Sequence, residues 1–518
     1  MNKFVNNRIY IKSGYIGFNY CIILPCDLTL GPVEVKLYRT SMYLKRLYFL
    51  IFIFSYTSVF SQFEKWPEQP KRIIWLAANN ASFGDGATNE SPIDVSNAEK
   101  LDKVLSELSL ELGVYGEGLV LRFLSGSYET YGIKLRPRWH LIGDGIDKTS
   151  LKLVPSIKHR KIKSAYHSVI GGGWGPQFTT ELDRIPLLKR DFNNIRIADI
   201  SLNCNWEGMK ENLGPIVKKV SGIDLLAKQA LVERVKVKNF GAVGGRPSWR
   251  EVFPIRVISG MGDGANLPGY KSSIIEIRHC VVEGAVLGPD IGTEWPYCTG
   301  IMVSHIGADI KNFTVSALVH HNEIINVING IAFGGAFLQK AVFFDNKVTN
   351  CGIGFNFDTG SNSGVIIRNN KFSECIGGGS VNNGKHFEIR KNTFSLKPPD
   401  RSRYSYWHNG LRLWDHTRGF IVRDNRFEFS GKSKALSRGI ILHGVSVGLT
   451  MFQDGFGVWK SKIDPHQFFN NNYFGFLPNT AGPQEANQNM HLKVGDLSLH
   501  LTGIDGVGDG IQFYWSDD

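Results

Sequence analysis

The chain has 518 residues and a formal net charge of +12. Hydrophobic residues make up 42% and charged residues 20%, which is the composition of a globular protein with ample material for a core. Its lysines and arginines form no compact run with interleaved aromatics, so nucleic acid is not an expected partner. Glycine is frequent, at 57 residues without a collagen period, which is typical of an all-β repeat protein with many tight turns.

An export signal is predicted near the start of the chain. Lys45 and Arg46 form a basic segment, Leu47–Phe54 is apolar, and Val59 and Ser61 occupy the small-residue positions of a cleavage site. A membrane anchor is the alternative, but the apolar run is shorter than the roughly 20 residues that cross a bilayer. The pattern therefore favours a signal peptide.

Cleavage of this signal would define the mature protein. We interpret residues 1–41 as a misassigned N-terminal extension, residues 42–61 as the signal peptide and Gln62 as the mature N-terminus. Residues 1–62 hold seven basic and two acidic residues, so +5 of the +12 is lost and the mature chain carries +7. We expect a secreted protein, in the periplasm or outside the cell, with no membrane span after cleavage. Its charge is compatible with an anionic partner.

The mature chain keeps five of the seven cysteines. An odd number without any C-x-x-C pair indicates neither a zinc site nor a disulfide framework. Cys351 and Cys375 each follow a repeated asparagine by five positions, so we expect them to be free thiols stacked in the core.

Residues 62–155 combine an amphipathic helix with strands. The helix is expected over Asn97–Leu110, where it would cap the first coil of a solenoid. The segments GDGATNES, FLSGSYET and WHLIGDGIDKTSLKL resemble the N-terminal signature of the pectate lyase superfamily, which includes rhamnogalacturonase-, epimerase- and polygalacturonase-related proteins. The resemblance implies a secreted right-handed parallel β-helix that acts on polysaccharides, often acidic ones, as a monomer or a homotrimer.

The resemblance does not fix one reaction. The chain lacks, as a set, the Asn-Thr-Asp, Asp-Asp, Gly-His-Gly and Arg-Ile-Lys pattern of the polygalacturonases, so their mechanism is not carried over. It also lacks an aspartate cluster like the calcium site of the pectate lyases. We therefore expect no metal ligands and no cofactor, with Ca²⁺ kept as an open alternative.

Residues 156–476 are predicted to continue the β-helix, with long insertions up to about residue 300. IADISLNCNW, LVERVKVKNFGA and SIIEIRHCVVEG are predicted strands. In the insertions, Glu251 and Glu294 lie near Trp249 and Trp295, and burial against aromatics raises the pKa of a carboxyl group. Either glutamate is a candidate acid or base; the alternative is a carboxylate that bonds backbone in a turn.

An asparagine recurs in VHHNEI, FFDNKV, IRNNKF, IRKNTF and VRDNRF, at steps of 24, 24, 22 and 33 residues. Such a period indicates a solenoid, and the alternation around each asparagine indicates strands, so the predicted coils stack about 4.8 Å apart. Each asparagine is placed at a turn, bonding backbone and the asparagine of the next coil. The step of 33 predicts a loop over Leu396–Asn409. His320 and His321 are expected on opposite strand faces, which would exclude a shared metal.

A second strand recurs once per coil and begins with glycine, in GIDLLA, GIMVSH, GIAFGG, GFNFDT, GSVNNG, GLRLWD and GIILHG. Its third and fifth residues are predicted to face solvent. The later coils then present polar and aromatic residues that suit a sugar site, because aromatic faces stack on pyranose rings and polar groups bind hydroxyls and carboxylates. These residues are Asn356, Asp358, Asn382, Arg412, Trp414 and His443.

A lyase needs a base and a group that neutralises the carboxylate of a uronate. Arg412 and His443 fit these roles, as do His305 and Tyr297, which are also candidate substrate-binding residues with Asn356, Asn382 and Trp414. A hydrolase needs two carboxyl groups instead.

Asp358 and Asp415 are the best pair of carboxylates for a hydrolase, about 10 Å apart across two coils, and Glu251 or Glu294 could replace one of them. The predicted function is thus cleavage of an acidic, uronate or sulfated polysaccharide by a hydrolase or lyase. The alternative is a non-catalytic glycan-binding or adhesion protein. Residues 477–518 are predicted to be amphipathic strands that cover the C-terminal end.

Overall fold

In the computed structural model the chain divides into two units, 1–65 and 66–518. All of the described residues belong to the second unit. The predicted N-terminal extension and signal peptide therefore lie outside the described residues. Within the described part, no helix has the length and hydropathy to cross a bilayer. The described ranges are 70–79, 82–112, 118–156, 166–172, 194–242, 252–261, 272–285, 298–306, 314–334, 341–358, 364–382, 387–397, 409–414, 421–423, 425–429, 438–443, 449–450, 460–461, 473–476, 489–494, 497–502 and 510–515.

Three series of strands recur along the chain. The first, here the Gly sheet, comprises Ile133–Lys134, Tyr166–Gly172, Lys219–Leu226, Ile255–Met261, Thr299–Ile306, Asn329–Gly334, Ile353–Asp358, Gly377–Asn382, Asn409–Trp414 and Arg438–His443. The pre-turn strands, which precede the asparagine turn or its equivalent, are Arg72–Ala77, Leu119–Phe123, Trp139–Ile142, Ile195–Asn203, Gln229–Lys238, Ser272–Arg278, Thr314–His320, Val342–Phe344, Ile366–Arg368, Glu388–Arg390 and Ile421–Arg423. The post-turn strands are Gly126–Thr130, Thr149–Leu153, Val281–Glu283, Glu323–Ile325, Lys347–Thr349, Lys371–Cys375, Thr393–Leu396, Arg426–Phe429 and Tyr473–Phe476.

Each strand pairs in parallel with its equivalent in the next coil. Ile366–Arg368, for example, lies between Val342–Phe344 and Glu388–Arg390 without a shift of register. Ile353–Asp358 likewise lies between Asn329–Gly334 and Gly377–Asn382. This stack is the predicted right-handed parallel β-helix.

The asparagine ladder is confirmed and continuous over five coils. The side-chain amides of Asn322, Asn346, Asn370 and Asn392 each donate to the Oδ1 of the next asparagine at 2.9–3.0 Å, and the last acceptor is Asn425. All five side chains are buried. The residue before the asparagine has the left-handed backbone at these turns, as Asn369 does with φ of 57°.

Stacked aromatic side chains fill the coils beside the ladder. Phe372 and Phe394 occupy equivalent positions, and their rings lie parallel at 4.9 Å, while Phe355 packs against Phe372 at 5.5 Å. Cys351 and Cys375 are fully buried free thiols at equivalent positions, as predicted, and burial raises the pKa of Cys351 well above its usual value.

Five of the glycines that open a Gly-sheet strand lie against a backbone carbonyl of the next coil: Gly222, Gly300, Gly330, Gly354 and Gly378. A Cβ on Gly354 would lie 2.5 Å from the carbonyl oxygen of Gly378 and 2.3 Å from Phe372. The register pairs position 353 with 377 and 355 with 379, so the opening glycine of that strand is Gly378, not Gly379 as predicted. Gly379 has another role, because the ring of Phe355 fills the space of its missing side chain at 2.0 Å.

The helix Ala98–Leu112 matches the predicted one to within two residues, and Asn97 Oδ1 accepts the backbone N–H of Lys100 at 2.9 Å as its cap. Its apolar face is buried against the core. The other helices are Trp206–Leu213 and the short 3₁₀ turn Gly214–Ile216.

The remaining strands lie outside the three series. At the C-terminal end, Gly510–Trp515 pairs in antiparallel fashion with Arg438–His443, the last parallel strand of the Gly sheet, which agrees with the predicted terminal strands. The others are Ile93–Asp94, Gly241–Ala242, Leu449–Thr450, Lys460–Ser461, Asn489–Val494 and Leu497–Thr502.

Candidate functional site

The backbone register gathers most of the predicted sugar-binding residues on two adjacent rows of the Gly sheet. In the first row, Asn356 pairs with Ser380, Ser380 with Arg412, and Arg412 with Ile441. These positions are consecutive coils, so they repeat about every 4.8 Å along the solenoid axis.

The second row lies two residues further along each strand. Gly334 pairs with Asp358, Asn382 with Trp414, and Trp414 with His443. The strands of Asp358 and Asn382 are paired as far as Phe357 and Val381, one residue before these two positions. Asp358, Asn382, Trp414 and His443 are therefore successive in this row.

The side chain of Asn356 is described and is half-buried. For Asp358, Asn382, Arg412, Trp414 and His443 the strand positions are described but the side chains lie outside the described residues. His305 follows Ser304, which occupies the second row, so its backbone position lies off both rows. The other predicted residues lie outside the described residues altogether: Glu251, Glu294, Tyr297 and Asp415.

The earlier coils show that strand alternation alone did not predict exposure. Leu226 and Ser304, predicted to face solvent, are buried at 6% and 3% exposure. The outer layer of these coils is itself packed: Arg256 is buried, forms a bidentate ion pair with Asp224 at 2.6 and 2.8 Å, and lies 4.3 Å over the ring of Phe253. The third positions are divided: Asp224 and Met302 are half-buried, whereas Ala332, also predicted to face solvent, is buried at 6% exposure.

A cluster of histidines on the pre-turn strands was not predicted. His320 Nε2 lies 3.1 Å from Glu276 Oε1, and His320 Nδ1 lies 2.8 Å from His321 Nδ1. The ring of His320 is stacked on Phe344 at 4.5 Å, and His279 lies 5.0 Å from His321. Glu276 and His320 are buried, whereas His279 and His321 are exposed.

This cluster can hold and pass a proton. If His320 donates from Nε2 to Glu276, its Nδ1 must accept, and His321 then donates from its own Nδ1. If His320 is protonated, it donates to both neighbours. The exposed end of the chain, His321 Nε2, lies 3.7 Å from Asp345 Oδ2. The pKa of His279 is lowered by burial and by the neighbouring His321 and His320.

The expectation that His320 and His321 lie on opposite faces was wrong. His321 is the turn residue with φ of 55°, and this left-handed backbone brings its ring back against His320. The sequence held a signal for it: aligned on the repeat, His279 and His321 take the same position in consecutive coils, directly before Cys280 and Asn322.

A charge-balanced network lies next to the cluster. Glu233, with 1% exposure, accepts hydrogen bonds from Arg196, Arg234 and Arg278 at 2.5–2.9 Å. Burial alone would raise the pKa of Glu233, but the bonds from Arg278 and Arg234 and the charge of Arg196 lower it to about 2. Arg234 is also paired with Asp199 at 2.6 Å.

Balanced charges of this kind hold strands together and leave no group for a ligand. Among the described residues, no group of three or more histidine, cysteine, aspartate or glutamate side chains has the arrangement of a metal site.

No family model and no curated protein matches this chain. Similar solved structures include the exopolygalacturonase of Thermotoga maritima, with 12% identity over 76% of this chain and 95% of that chain and a TM-score of 0.40. The A-module of mannuronan C-5 epimerase AlgE4 from Azotobacter vinelandii has 11% identity, covers 79% of this chain and all of its own, and gives 0.35. The surface adhesin PfbA of Streptococcus pneumoniae has 12% identity, covers 85% of this chain and all of its own, and gives 0.36.

These similarities concern the backbone path and assign no activity to this chain. Its own strand pairing defines the architecture, with one parallel strand per series added in each coil. The chain is a right-handed parallel β-helix, the fold that its N-terminal resemblance to the pectate lyase superfamily implied.

Proposed function

We propose that this chain is an exported enzyme that cleaves glycosidic bonds in an acidic polysaccharide, with the later coils of the Gly sheet as its substrate face. The observation that supports this most is the backbone register, which aligns Asp358, Asn382, Trp414 and His443 in one row and Asn356 and Arg412 in the next. A rigid stack of this kind holds reacting groups at fixed spacing, which is what positioning catalysis requires.

The rows offer groups for both reactions. Arg412 in one row and His443 in the other could neutralise a uronate carboxylate and take its C5 proton, as a lyase requires. Asp358 and Trp414 are two coils apart, about 10 Å, and Asp415 directly follows Trp414 in the chain. A pair of carboxylates near that separation is at the upper edge of the range used by inverting hydrolases.

The test is digestion of a panel of polysaccharides by the chain from Gln62. The panel comprises polygalacturonate, rhamnogalacturonan, alginate and sulfated algal glycans, and both reducing ends and the ultraviolet absorbance of unsaturated uronates are followed. Asp358→Asn is compared with Asp147→Asn, the same change at an exposed residue of an N-terminal turn. For a hydrolase we expect loss of turnover only in the first variant.

Reducing ends together with new absorbance would identify a lyase and make Arg412 and His443 the residues to substitute. Reducing ends alone would identify a hydrolase and direct substitution to Asp358, Asp415 and the two glutamates of the insertions. Binding to a panel member without any product, equal in the wild-type chain and in Asp358→Asn, would contradict cleavage and favour a glycan-binding protein.

A further inference from the structure

Two rows of strand positions flank the asparagine turn, on a different sheet from the proposed substrate face. The pre-turn row lies two residues before each ladder position and the post-turn row one residue after it. In chain order the pre-turn row is Glu233, Arg278, His320, Phe344, Arg368, Arg390 and Arg423, and the post-turn row is Lys236, Val281, Glu323, Lys347, Lys371, Thr393 and Arg426.

In the first coils, neighbours in and beside these rows have opposite charges and pair. Glu233 accepts from Arg278 at 2.7 Å, and Lys236 pairs with Glu283 at 2.9 Å. The solenoid therefore uses its outer charges there for cross-strand ion pairs, which is the arrangement that stabilises a sheet.

In the later coils the pattern reverses, because like charges lie directly next to each other. Arg368 pairs in register with Arg390, Arg390 with Arg423, and Lys347 with Lys371, each about 4.8 Å from the next. Like charges in register destabilise a sheet, and any neutral polar residue could occupy these outward positions at lower cost. Two of these arginines have a compensating contact, Arg390 with Glu388 at 3.1 Å and Arg368 with the ring of Phe344 at 4.6 Å, but the succession of like charges along the strands remains.

We call these two rows and the residue directly before each ladder asparagine, from the coil of Phe344 to that of Arg426, the basic strip. Its twelve positions hold seven cations and two carboxylates. Lys347, Lys371 and Lys391 are exposed, and within the described ranges none of the three forms an ion pair. Among the described residues, the carboxylates in or beside the strip are Asp345, Glu374, Glu323, Glu428 and Glu388, the last paired with Arg390 at 3.1 Å.

We propose that the basic strip binds an anionic polysaccharide, sulfated or uronic, that runs parallel to the solenoid axis. One or more cations per coil give such a polymer a charge partner about every 4.8 Å, and guanidinium and ammonium groups bind carboxylate and sulfate oxygens with charge-assisted hydrogen bonds. Binding here does not depend on the cleavage proposed above, since the strip and the substrate face lie on different sheets.

A nucleic acid fits the strip less well. Proteins that bind single strands stack bases on exposed aromatic rings. The aromatic residue of the strip, Phe344, is 7% exposed, with the Arg368 guanidinium 4.6 Å from its ring and the His320 ring stacked on it at 4.5 Å. The strip thus offers cations in a line without a platform for bases.

The test measures binding of the whole mature chain by affinity electrophoresis in gels that contain dextran sulfate, polygalacturonate or neutral dextran. The triple variant Lys347→Gln, Lys371→Gln, Lys391→Gln removes three exposed charges of the strip. The matched control removes the same charge elsewhere, with Lys103→Gln, Lys148→Gln and Lys210→Gln at exposed positions of the N-terminal part.

We expect the wild-type chain to bind both anionic probes and not neutral dextran, and the strip variant to bind at least tenfold more weakly than the control. In the strip variant, the magnitude of the slope of log affinity against log salt concentration should be smaller by about two. This follows from a contribution of roughly 0.7 for each of the three lost contacts with a flexible polyanion. Equal weakening in both variants would show a net-charge effect and overturn the strip. Equal or tighter binding of a single-stranded oligonucleotide at matched charge density would overturn the choice of polysaccharide.

Lysine acetylation in the presence of dextran sulfate gives a second readout that needs no variant. Protection of the three strip lysines, with the three control lysines still modified, supports the proposal even if the triple variant fails to fold. Uniform protection or none overturns it. Because dextran sulfate is not among the proposed substrates, its result distinguishes failure of the strip from failure of the proposed enzyme activity.

Discussion

Replacement of Asn370 by alanine tests whether the asparagine ladder holds the solenoid together. Oδ1 of Asn370 accepts the backbone N–H of Asn346 at 3.0 Å and its side-chain amide at 2.9 Å. Nδ2 of Asn370 donates to the carbonyl of Phe343 at 3.1 Å and to Oδ1 of Asn392 at 3.0 Å. Asn370→Ala removes all four hydrogen bonds at a residue that is 2% exposed.

The expected cost follows from the groups left behind. The backbone N–H of Asn346 and the carbonyl of Phe343 each lose this partner in the core, and a buried polar group without its partner costs about 1–3 kcal/mol. Nδ2 of Asn346 still donates to the carbonyl of Val319, and Oδ1 of Asn392 still accepts the backbone N–H of residue 370, so these two groups add less. We expect the free energy of unfolding to fall by about 3 kcal/mol.

The assay is urea unfolding of the mature chain followed by circular dichroism, with hydrogen exchange at the Asn346 amide as a local readout. Asn369→Gly is the matched control: this neighbouring asparagine is exposed, has φ of 57° and can be replaced by glycine without strain. We expect the control to change stability by less than about 0.5 kcal/mol. A loss in Asn370→Ala no larger than in the control would refute the structural role of the ladder.

Three further changes have defined outcomes. The pKa of Glu233 is lowered to about 2, so its ion pairs contribute stability that is complete above pH 4.5 and is lost as the pH falls toward 2. Glu233→Gln should abolish this loss of stability in acid unfolding curves. Gly354→Ala should lower the melting temperature, because its Cβ would lie 2.5 Å from a carbonyl oxygen, whereas Gly126→Ala, with 3.5 Å of clearance, should not. The buried Cys351 thiol, with its raised pKa, should react with Ellman's reagent at pH 8 only after unfolding; reaction in the native chain would contradict its burial.

The sequence predicted the parts of this fold that each coil repeats. A polar asparagine inside an apolar strand pattern can be accommodated in a core only if its amide is bonded, and a stack of identical asparagines provides those bonds. The period therefore indicated both the solenoid and the ladder, and the structure contains both. The helix before the first coils was predicted for the same reason: its apolar face needs a core to cover.

The errors arose where a side-chain pattern carries too little information. In the run Gly377–Gly379 no side chain marks the register, and only the ring of Phe355 over Gly379 shows which glycine begins the strand. At His321 a single left-handed residue reversed the predicted direction of a ring, and strand alternation gives no warning of such a residue. Leu226 and Ser304 are buried because the outer face of those coils is packed, which alternation cannot reveal.

The two proposed surfaces follow from one property of a parallel solenoid. Every position of the coil is repeated about 4.8 Å further on, so a residue type chosen at one position becomes a row. Inside, the rows are asparagines and phenylalanines, which the fold requires. Outside, opposite charges pair around Glu233, whereas Arg368, Arg390 and Arg423 place like charges in register along the strip. Such a row suits an extended polymer with repeating negative charge. If the strip variant loses binding to this polymer while its fold stays intact, the binding function of the strip is separate from the stability of the solenoid.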